Sequence, residues 1–456
     1  MGEKQDVSLT PFFARHFLLN FSNGIISPYI SVYAVQLGAS STEMGWLRSL
    51  MNLFGNITQV FWGAISDRFG RYIPAILFGG LFSALLWLPL LIVNSPTQFI
   101  LVITVQSFAT SIVIPAWASL IGWIAPKSKR GTITSHINIA ASLGSTGATL
   151  LSGYLMTLIG GSLSSMYFLP IVLASLTGLV SSIIMIRVRE EKHVQKRSQT
   201  TWLNWDLLRN NQNFRTLCMV SAIHSFFMSI SWPLFAITTV RIVQADMLEI
   251  AFISVVSNFV SIFVRRLIGR ITDKAGRRFL LIGSRAIIFI YPTLYALATN
   301  VYHLLLANLI GGVFGAIAEI VLFVYQLDIT RPEQRGASIA LYNTIIGVAT
   351  FCGSLAGGYL PTLFLSSGIA DTLSLQLTYA ISALGRFGGG LLFSKLKEPS
   401  TYSTTVRDEF TRILTEDIER TRDQIKQIEL RGATIDEELQ EDFDWIVGVT
   451  KKKENT

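Results

Sequence analysis

Long apolar segments recur along the chain and constrain its fold more than any other feature. A helix needs about 20 apolar residues to cross roughly 30 Å of hydrocarbon. Segments of that kind are predicted at about residues 12–36, 43–66, 73–93, 98–124, 132–158, 165–186, 214–240, 247–268, 279–299, 302–327, 337–363 and 373–394. The chain is therefore expected to be an all-α integral membrane protein with twelve transmembrane helices.

The composition excludes two other classes of protein. Half of the residues are hydrophobic and only 14% are charged, whereas a soluble domain carries about 25% charged residues. The composition therefore excludes a water-soluble enzyme with a single core, and it also excludes a disordered chain. Cys218 and Cys352 lie inside apolar runs, so neither a disulfide framework nor a thiolate metal cluster is predicted.

The distribution of basic residues predicts how the segments are oriented. The loops on one side hold seventeen Lys and Arg residues, and the loops on the other side hold Arg241 alone. Under the positive-inside rule, the basic loops and both termini, including residues 1–11, are cytoplasmic. No cleavable signal peptide is expected, because the first apolar run is too long and no small-residue cleavage site follows it. The cell (plasma) membrane is the predicted location.

The sequence contains an internal duplication. An offset of 206 aligns Asp67 with Asp273, and after removal of one residue an offset of 205 aligns further glycines and charged residues. Such residues rarely match in register by chance. The duplication predicts two six-helix bundles of the same orientation, residues 12–186 and 214–396, joined by a cytoplasmic linker over 187–213. Parallel repeats place a solute site between the halves near the midplane of the membrane.

Two loops carry a motif that resembles that of a known family. Residues 63–71, Gly-Ala-Ile-Ser-Asp-Arg-Phe-Gly-Arg, resemble the signature cytoplasmic loop of the major facilitator superfamily (MFS), and residues 269–278 are its second copy. The likeness covers about residues 11–396. It implies a secondary transporter of two pseudo-symmetric bundles that moves a small organic solute by rocker-switch alternating access. Efflux of a drug or metabolite and uptake of a sugar or other organic solute are not distinguished.

In the resembling family, these loops form a latch that holds the cytoplasmic side closed. The latch includes an acidic residue at the inner end of span ten, a position that Asp328 fits. The implied gate comprises Gly63, Asp67, Arg68, Gly70, Arg71, Gly269, Asp273, Gly276, Arg277 and Asp328. Cations beyond helix ends satisfy free carbonyls, and the glycines permit tight turns and close helix approach. The alternative is a set of solvated charges that only enforce topology.

Glu319 is the one acidic residue that lies well inside a predicted span. A charged carboxylate at the centre of a span costs about 2.5–3.5 kcal/mol, so it needs a partner, a proton or water. Arg285 and Arg386 lie at a similar depth, about 10–13 Å from the inner end. Glu319 is therefore predicted either to carry a coupling proton or to form a fixed ion pair with Arg285 or Arg386.

Polar and aromatic residues within spans are candidates for binding the solute. Spans one, four, seven and ten line the cavity in the resembling family, and Pro233 of span seven matches Pro28 of span one at the offset of 205. The candidates are Asn20, Asn23, Gln106, Trp117, His224, Trp232, Asn138 and Asn343. Amides and indoles suit a polar organic solute with an apolar body. The alternative is that each amide links neighbouring helices and that His224 is a packed core residue.

The C-terminal tail differs in charge from the rest of the chain. Residues 397–456 hold 15 acidic and 10 basic residues, and their apolar residues follow a helical stripe. This acidic cytoplasmic tail is predicted to dock on the basic loops, to pair with another copy, or to form a self-contained hairpin without a role in transport.

Two other functional classes are weighed against transport. A transporter-like receptor would bind a solute and signal through the tail. A membrane-embedded enzyme is disfavoured, because the sequence offers no metal-ligand spacing, no nucleophile–base set and no phosphate-binding loop. We therefore expect no cofactor and no metal. The expected partners are the solute, the lipid bilayer and protons as a coupling ion, with no nucleic acid, and the protein is expected to be a monomer.

Overall fold

The computed structural model describes residues 10–69, 71–124, 130–188, 190, 205–272, 276–331 and 334–398 of the chain. The regular elements of these residues are all helical. The first half contains α1 (Thr10–Ile26), α2 (Ile30–Gln36), α3 (Ser41–Phe69), α4 (Ile73–Leu85), α5 (Pro96–Ile124), α6 (Arg130–Ile159) and α7 (Leu163–Ile183). The second half contains α8 (Asp206–Asn210), α9 (Gln212–Ile230), α10 (Trp232–Ile237), α11 (Met247–Thr272), α12 (Arg277–Ile287), α13 (Ile290–Ala296), α14 (Val301–Asp328), α15 (Arg335–Ser366) and α16 (Asp371–Leu391).

Short helical turns of other types extend or join several of these helices. The 3₁₀ turns are Ser27–Tyr29, Leu88–Leu91, Ile184–Arg187 and Leu392–Lys395, and Thr238–Ile242 is a π-helical turn. The turn between α1 and α2 contains a proline, and α10 begins next to one. The first span of each half is therefore a broken helix.

Eight helical segments of the described residues are long and apolar enough to cross a membrane. They are Ile73–Leu91, Pro96–Ile121, Leu163–Arg187, Gln212–Ile242, Met247–Arg265, Arg277–Ala296, Val301–Asp328 and Arg335–Ser366. The prediction of an all-helical, multi-pass membrane protein is thus confirmed. The number of twelve spans stays a prediction.

The chain divides into two compact units. The larger unit, Met1–Ile268 with Arg277–Pro399, holds most of the described helices. The smaller unit is Gly269–Gly276 with Ser400–Thr456, and its described residues are the last residues of α11 and Gly276. The predicted tail beyond residue 398, the linker residues 191–204 and residues 1–9 lie outside the described residues.

The same packing pattern occurs in both halves of the larger unit. α1 packs against α6 and α7, and in the second half α9 packs against α15 and α16. α4 packs against α5 and α7, while α12 packs against α14 and α16. Helices related by the duplication therefore pack against helices that are also related by it, as expected for a repeated bundle.

The break between α1 and α2 follows from one proline. Pro28 has no N–H, so the carbonyl of Gly24, four residues earlier, lacks its usual helical partner. The Thr149 hydroxyl of α6 donates to that carbonyl at 2.9 Å. An unsatisfied backbone group is expensive in a membrane span, and this hydroxyl removes the penalty.

The second half repeats the arrangement at the offset of 205. Pro233 leaves the Ser229 carbonyl without its helical partner, and the Ser354 hydroxyl of α15 donates to it at 3.4 Å. Ser354 and Thr149 are themselves related by 205 residues. The duplication thus extends to the group that supports each break.

The halves are joined at the end of the bundle where α3 begins, which we call the far end. Thr42 and Thr362 share a hydrogen bond between their hydroxyls at 3.0 Å, and Ser49 donates to the carbonyl of Phe351 at 2.8 Å. An added Cβ on Gly45 would lie 2.8 Å from the backbone of α15. α3 and α15 are therefore in backbone contact there.

Two apolar clusters distinguish the far end from the basic end, where α3 ends and α12 begins. The far-end cluster combines residues of both halves, among them Leu47 and Leu234. The cluster around Phe12 and Leu120 at the basic end comes from the first half alone. Among the described residues, the apolar contact between the halves therefore lies at the far end.

Candidate functional site

An ion pair of the predicted gate lies at the basic end of the second half. Arg277, the first residue of α12, forms a salt bridge with Asp328, the last residue of α14, and both side chains are mostly buried. The pair ties the start of α12 to the end of the helix that carries Glu319. The structure thus brings together two of the predicted gate residues.

Two carboxylates that the sequence analysis missed cap the helices after the motif loops. Glu398 accepts hydrogen bonds from the backbone N–H groups of Arg277 and Arg278, both at 2.9 Å. Glu190 accepts equivalent bonds from the N–H groups of residues 72 and 73, at 2.7 and 2.9 Å. The first N–H groups of a helix are free and carry partial positive charge, so a carboxylate is favourable there. The available signal was a glutamate shortly after the last span of each half.

The other predicted gate residues have the following positions. An added Cβ on Gly63 of α3 would lie 3.5 Å from the Pro115 side chain of α5, an ordinary van der Waals contact, so this contact does not itself require a glycine. Arg71 is exposed before α4, Gly276 directly precedes α12, Asp67 and Arg68 lie near the end of α3 and Gly269 lies in α11. Gly70 and Asp273 lie outside the described residues.

Glu319 has a different partner from the two that were predicted. Its carboxylate pairs with Arg265 of α11 at 2.7 Å, and the two side chains are 64% and 52% exposed. One turn earlier on α11, the Ser261 hydroxyl donates to the Gly312 carbonyl of α14 at 3.1 Å. The pair therefore lies one turn closer to the basic end than the Ser261–Gly312 contact, and both of its side chains are exposed.

Arg386 and Arg285 are engaged elsewhere. Arg386 is buried and donates to the Met228 carbonyl at 2.6 Å and to the Ser231 hydroxyl, next to the break between α9 and α10. The Arg285 guanidinium lies 5.8 Å from the centre of the Phe393 ring. Neither arginine forms a described ion pair with Glu319, although Arg285 interacts with it electrostatically. The ion pair with Arg285 or Arg386 therefore stays a prediction, and depth in the membrane alone does not specify which face of a helix a side chain occupies.

Two of the solute-site candidates are packing residues within one half. His224 is fully buried, and its Nε2 lies 3.1 Å from the carbonyl oxygen of Arg285. Gln106 is buried and donates to the Ser83 hydroxyl at 3.2 Å. These contacts favour the structural alternatives that the sequence left open for both residues.

The polar face of α1 meets Trp117 of α5. His16, Asn20 and Asn23 are spaced by four and three residues, so they share one face of the helix, and all three are partly buried. The His16 ring stacks on the Trp117 indole with ring centres 5.0 Å apart. The Arg15 guanidinium lies 4.1 Å from the centre of the same indole. Trp117 is thus joined to α1, through residues that the sequence analysis did not select.

The remaining solute-site candidates are Trp232, Asn343 and Asn138. No described contact joins any of them to Arg15, His16 or Trp117. Trp232 begins α10 and is partly buried, Asn343 is partly buried in α15, and Asn138 is exposed on α6. The Asn20 amide bonds back to the carbonyl of His16 in its own helix at 2.8 Å.

Arg15, Arg48 and Arg265 lie inside helices and were not among the predicted site residues. Arg48 lies in α3, and its Nε atom is buried without a hydrogen-bond partner among the described residues. Each of the three is visible in the sequence as a basic residue inside a predicted span, which is the signal that identifies it. Among the described residues, no group of three or more His, Cys, Asp or Glu is placed to hold a metal ion.

Comparisons with known proteins agree on one family. The sequence model of the Major Facilitator Superfamily matches residues 12–231 and 217–422. An uncharacterized MFS-type transporter of Methanocaldococcus jannaschii is 24% identical over 368 residues, which are 79% of this chain and 90% of that protein. The staphyloferrin B transporter of Staphylococcus aureus is 23% identical over 350 residues, 72% of this chain and 78% of that transporter. A mutant of the nucleoside transporter NupG is similar in fold, with a TM-score of 0.72 at 14% identity over 85% of this chain and 99% of that one.

Proposed function

The chain belongs to the major facilitator superfamily, and from this premise we propose that it is a secondary transporter that moves a small organic solute by rocker-switch alternating access. Its relatives support transport of a solute across a membrane. The proposal includes twelve spans in two bundles, residues 12–186 and 214–396, with both termini in the cytoplasm. It also includes a monomeric state and location in the plasma membrane. The relatives are transporters by name, so the receptor alternative has no support.

One observation carries the alternating-access proposal. Hydrogen bonds and a shared apolar cluster join the halves at the far end. The ion pairs and helix caps described at the basic end each lie within one half. With the basic end in the cytoplasm, this arrangement supports a state closed to the outside. Rocking of one half on the other opens the opposite side in turn.

The Arg277–Asp328 pair and the Glu398 cap are proposed to act in the gate. They hold the start of α12 against the ends of α14 and α16. When the cytoplasmic side closes, the start of α12 and the end of α14 are proposed to move together toward the other half. The first half has the equivalent cap at Glu190.

Coupling to protons is proposed at Glu319. Its carboxylate pairs with Arg265, and more than half of each side chain is exposed, so a proton has access to the carboxylate. A residue of this kind inside a span marks an ion or proton pathway by default. Proton binding would release Arg265, which is then free to attract another anion.

The test is flux through purified protein in proteoliposomes with an imposed pH gradient. Staphyloferrin B, the solute named for one relative, is the first probe, followed by sugars, organic acids and hydrophobic cations. We expect gradient-driven accumulation of one of these solutes, reduced at least tenfold by Glu319→Gln, with unfolding temperature and gel-filtration profile preserved. Absence of flux for a solute that binds the purified protein would contradict transport.

Two further variants separate coupling from structure. Asp371→Asn removes an exposed acid from the first turn of α16 and should leave flux unchanged. The double variant Arg265→Gln/Glu319→Gln removes both charges, which is less destabilising than leaving one unpaired, and should still lack gradient-driven flux. If Glu319→Gln retains that flux, the pair with Arg265 is a fixed structural contact.

A further inference from the structure

Arg15 is a buried cation whose donors lack acceptors. Its side chain is 2% exposed, and its Nε and Nη1 atoms are buried without hydrogen-bond partners among the described residues. Its guanidinium carbon lies 4.1 Å from the centre of the Trp117 indole. A charge that is buried in a span without a paired anion is unfavourable. The site therefore favours the arrival of an anion.

Two aromatic rings lie beside Arg15, so the cluster offers a flat surface for packing as well as a positive charge. Trp117 and His16 stack with an angle of 7° between their planes, and both are partly buried rather than enclosed. The Nδ1 atom of His16 is also without a partner among the described residues. From His16, the polar face of α1 continues along the helix through Asn20 and Asn23, two of the predicted solute-binding residues. The cluster thus combines orphaned donors with a flat aromatic surface at the start of a polar track.

The cluster departs from the duplication. At the offset of 205, Val220 and Ser221 occupy the positions of Arg15 and His16, and at 206 Phe323 occupies the position of Trp117. The second half forms the same bundle without a cation there. The bundle architecture therefore does not require Arg15, and its presence in one half calls for another reason.

We propose that Arg15, His16 and Trp117 form a subsite for an anionic group of the transported solute, a carboxylate or phosphate on an organic body. The guanidinium binds two oxygens of such a group side by side. The indole and imidazole pack against the adjoining flat or apolar part of the solute. This assignment of the substrate class rests on the proposed transport function.

The test compares matched acids and neutral analogues on the full chain in detergent. The probes are benzoate against benzamide, glucose 6-phosphate against glucose, and inorganic phosphate alone. Unfolding temperature and tryptophan fluorescence are measured during titration. We expect at least one anion to bind more than tenfold more tightly than its neutral partner, and Arg15→Gln to weaken that binding at least tenfold. Arg215→Gln, which removes an exposed arginine near the start of α9, is the matched control and should leave binding unchanged.

Two further arms keep the proposal open to contradiction. If Arg15→Gln does not fold, Trp117→Phe keeps an aromatic ring and should abolish the anion-dependent fluorescence change. Equal binding of anions and neutral analogues, or anion binding that survives Arg15→Gln, overturns the subsite. Stabilisation by phosphatidylglycerol but not phosphatidylcholine that depends on Arg15, and that the soluble anions do not compete for, assigns the site to a lipid headgroup and also overturns it.

Failure of the subsite is distinguishable from failure of transport. Arg15-dependent binding of an anion that never crosses a proteoliposome membrane would leave the subsite intact and contradict transport. Flux of a neutral solute, together with absence of anion binding, would support transport and overturn the subsite.

Discussion

In the first half, two hydroxyls of α6 support the break in the first span, whereas the second half keeps one hydroxyl and adds an arginine. Thr149 donates to the Gly24 carbonyl at 2.9 Å, and Ser152 donates to the Ile25 carbonyl at 2.8 Å. Both donors come from one neighbouring helix and are uncharged. The break between α1 and α2 therefore depends on α6 alone for these two bonds.

In the second half, donors from two helices reach carbonyls beside the break. Ser354 of α15 retains the role of Thr149, but Gly357 stands where the first half has Ser152. Arg386 of α16 donates at 2.6 Å to a different carbonyl, that of Met228, two residues before the counterpart of Ile25. The comparison teaches that the duplicated backbone has been kept while the groups that satisfy its broken hydrogen bonds have diverged.

The largest change in stability is expected when the residues at the two equivalent positions, Ser152 and Gly357, are exchanged. This exchange tests the difference between the two breaks directly. An added Cβ on Gly357 would collide with the Ile230 carbonyl, so Gly357→Ser should destabilise the protein by about 3 kcal/mol. Ser152→Gly removes one hydrogen bond and should cost about 1 kcal/mol. Both are measured as changes in thermal unfolding of the detergent-purified protein. Equal effects of the two substitutions would mean that the helix contacts at the two breaks are equivalent after all.

A smaller effect is expected for Arg386. Arg386→Gln should destabilise the protein by about 2 kcal/mol, because charge-assisted hydrogen bonds to the Met228 carbonyl and the Ser231 hydroxyl are lost. The pH dependence of flux should remain, unlike that of Glu319→Gln. Thermal unfolding and proteoliposome flux are measured on the same preparations, with Arg215→Gln as the control for loss of an exposed charge. Loss of pH-dependent flux in Arg386→Gln would restore the coupling role that the sequence first suggested for this residue.

The fold was more accessible from the sequence than the side-chain partners. Apolar segments of span length and the offset between repeats depend on composition and periodicity, which a single sequence displays. Pro28 and Pro233 lie at helix breaks for the same reason, since the missing N–H acts locally. These features need no knowledge of how helices are rotated about their axes.

Side-chain partners between helices do need that knowledge. Glu319 and Arg386 were matched by depth alone, but Arg386 faces the break after α9 and Arg265 faces Glu319. Arg15 could not be distinguished from a snorkelling basic residue near a helix end, because its burial arises from neighbouring helices. Rotation, tilt and register between helices are set by packing, and the hydropathy pattern does not specify them.

The smallest effects are expected at the two helix caps, and they sharpen the comparison of the halves at the basic end. Glu190→Gln and Glu398→Gln should each destabilise the protein by about 1 kcal/mol, since each weakens two bonds to free N–H groups at a helix start. The two losses should add in the double variant, because the caps lie in different halves. Thermal unfolding of the two single variants and the double variant measures this.

Flux separates the two caps more clearly than stability does. Glu398 binds the backbone N–H of Arg277, whose guanidinium pairs with Asp328, whereas Gly122 replaces that acid at the offset of 206 in the first half. Loosening the second cap therefore loosens an ion pair as well, and Glu398→Gln should slow flux more than Glu190→Gln at equal stability. Equal flux in the two variants would show that the caps act only on stability and that the gate does not depend on the Arg277–Asp328 pair.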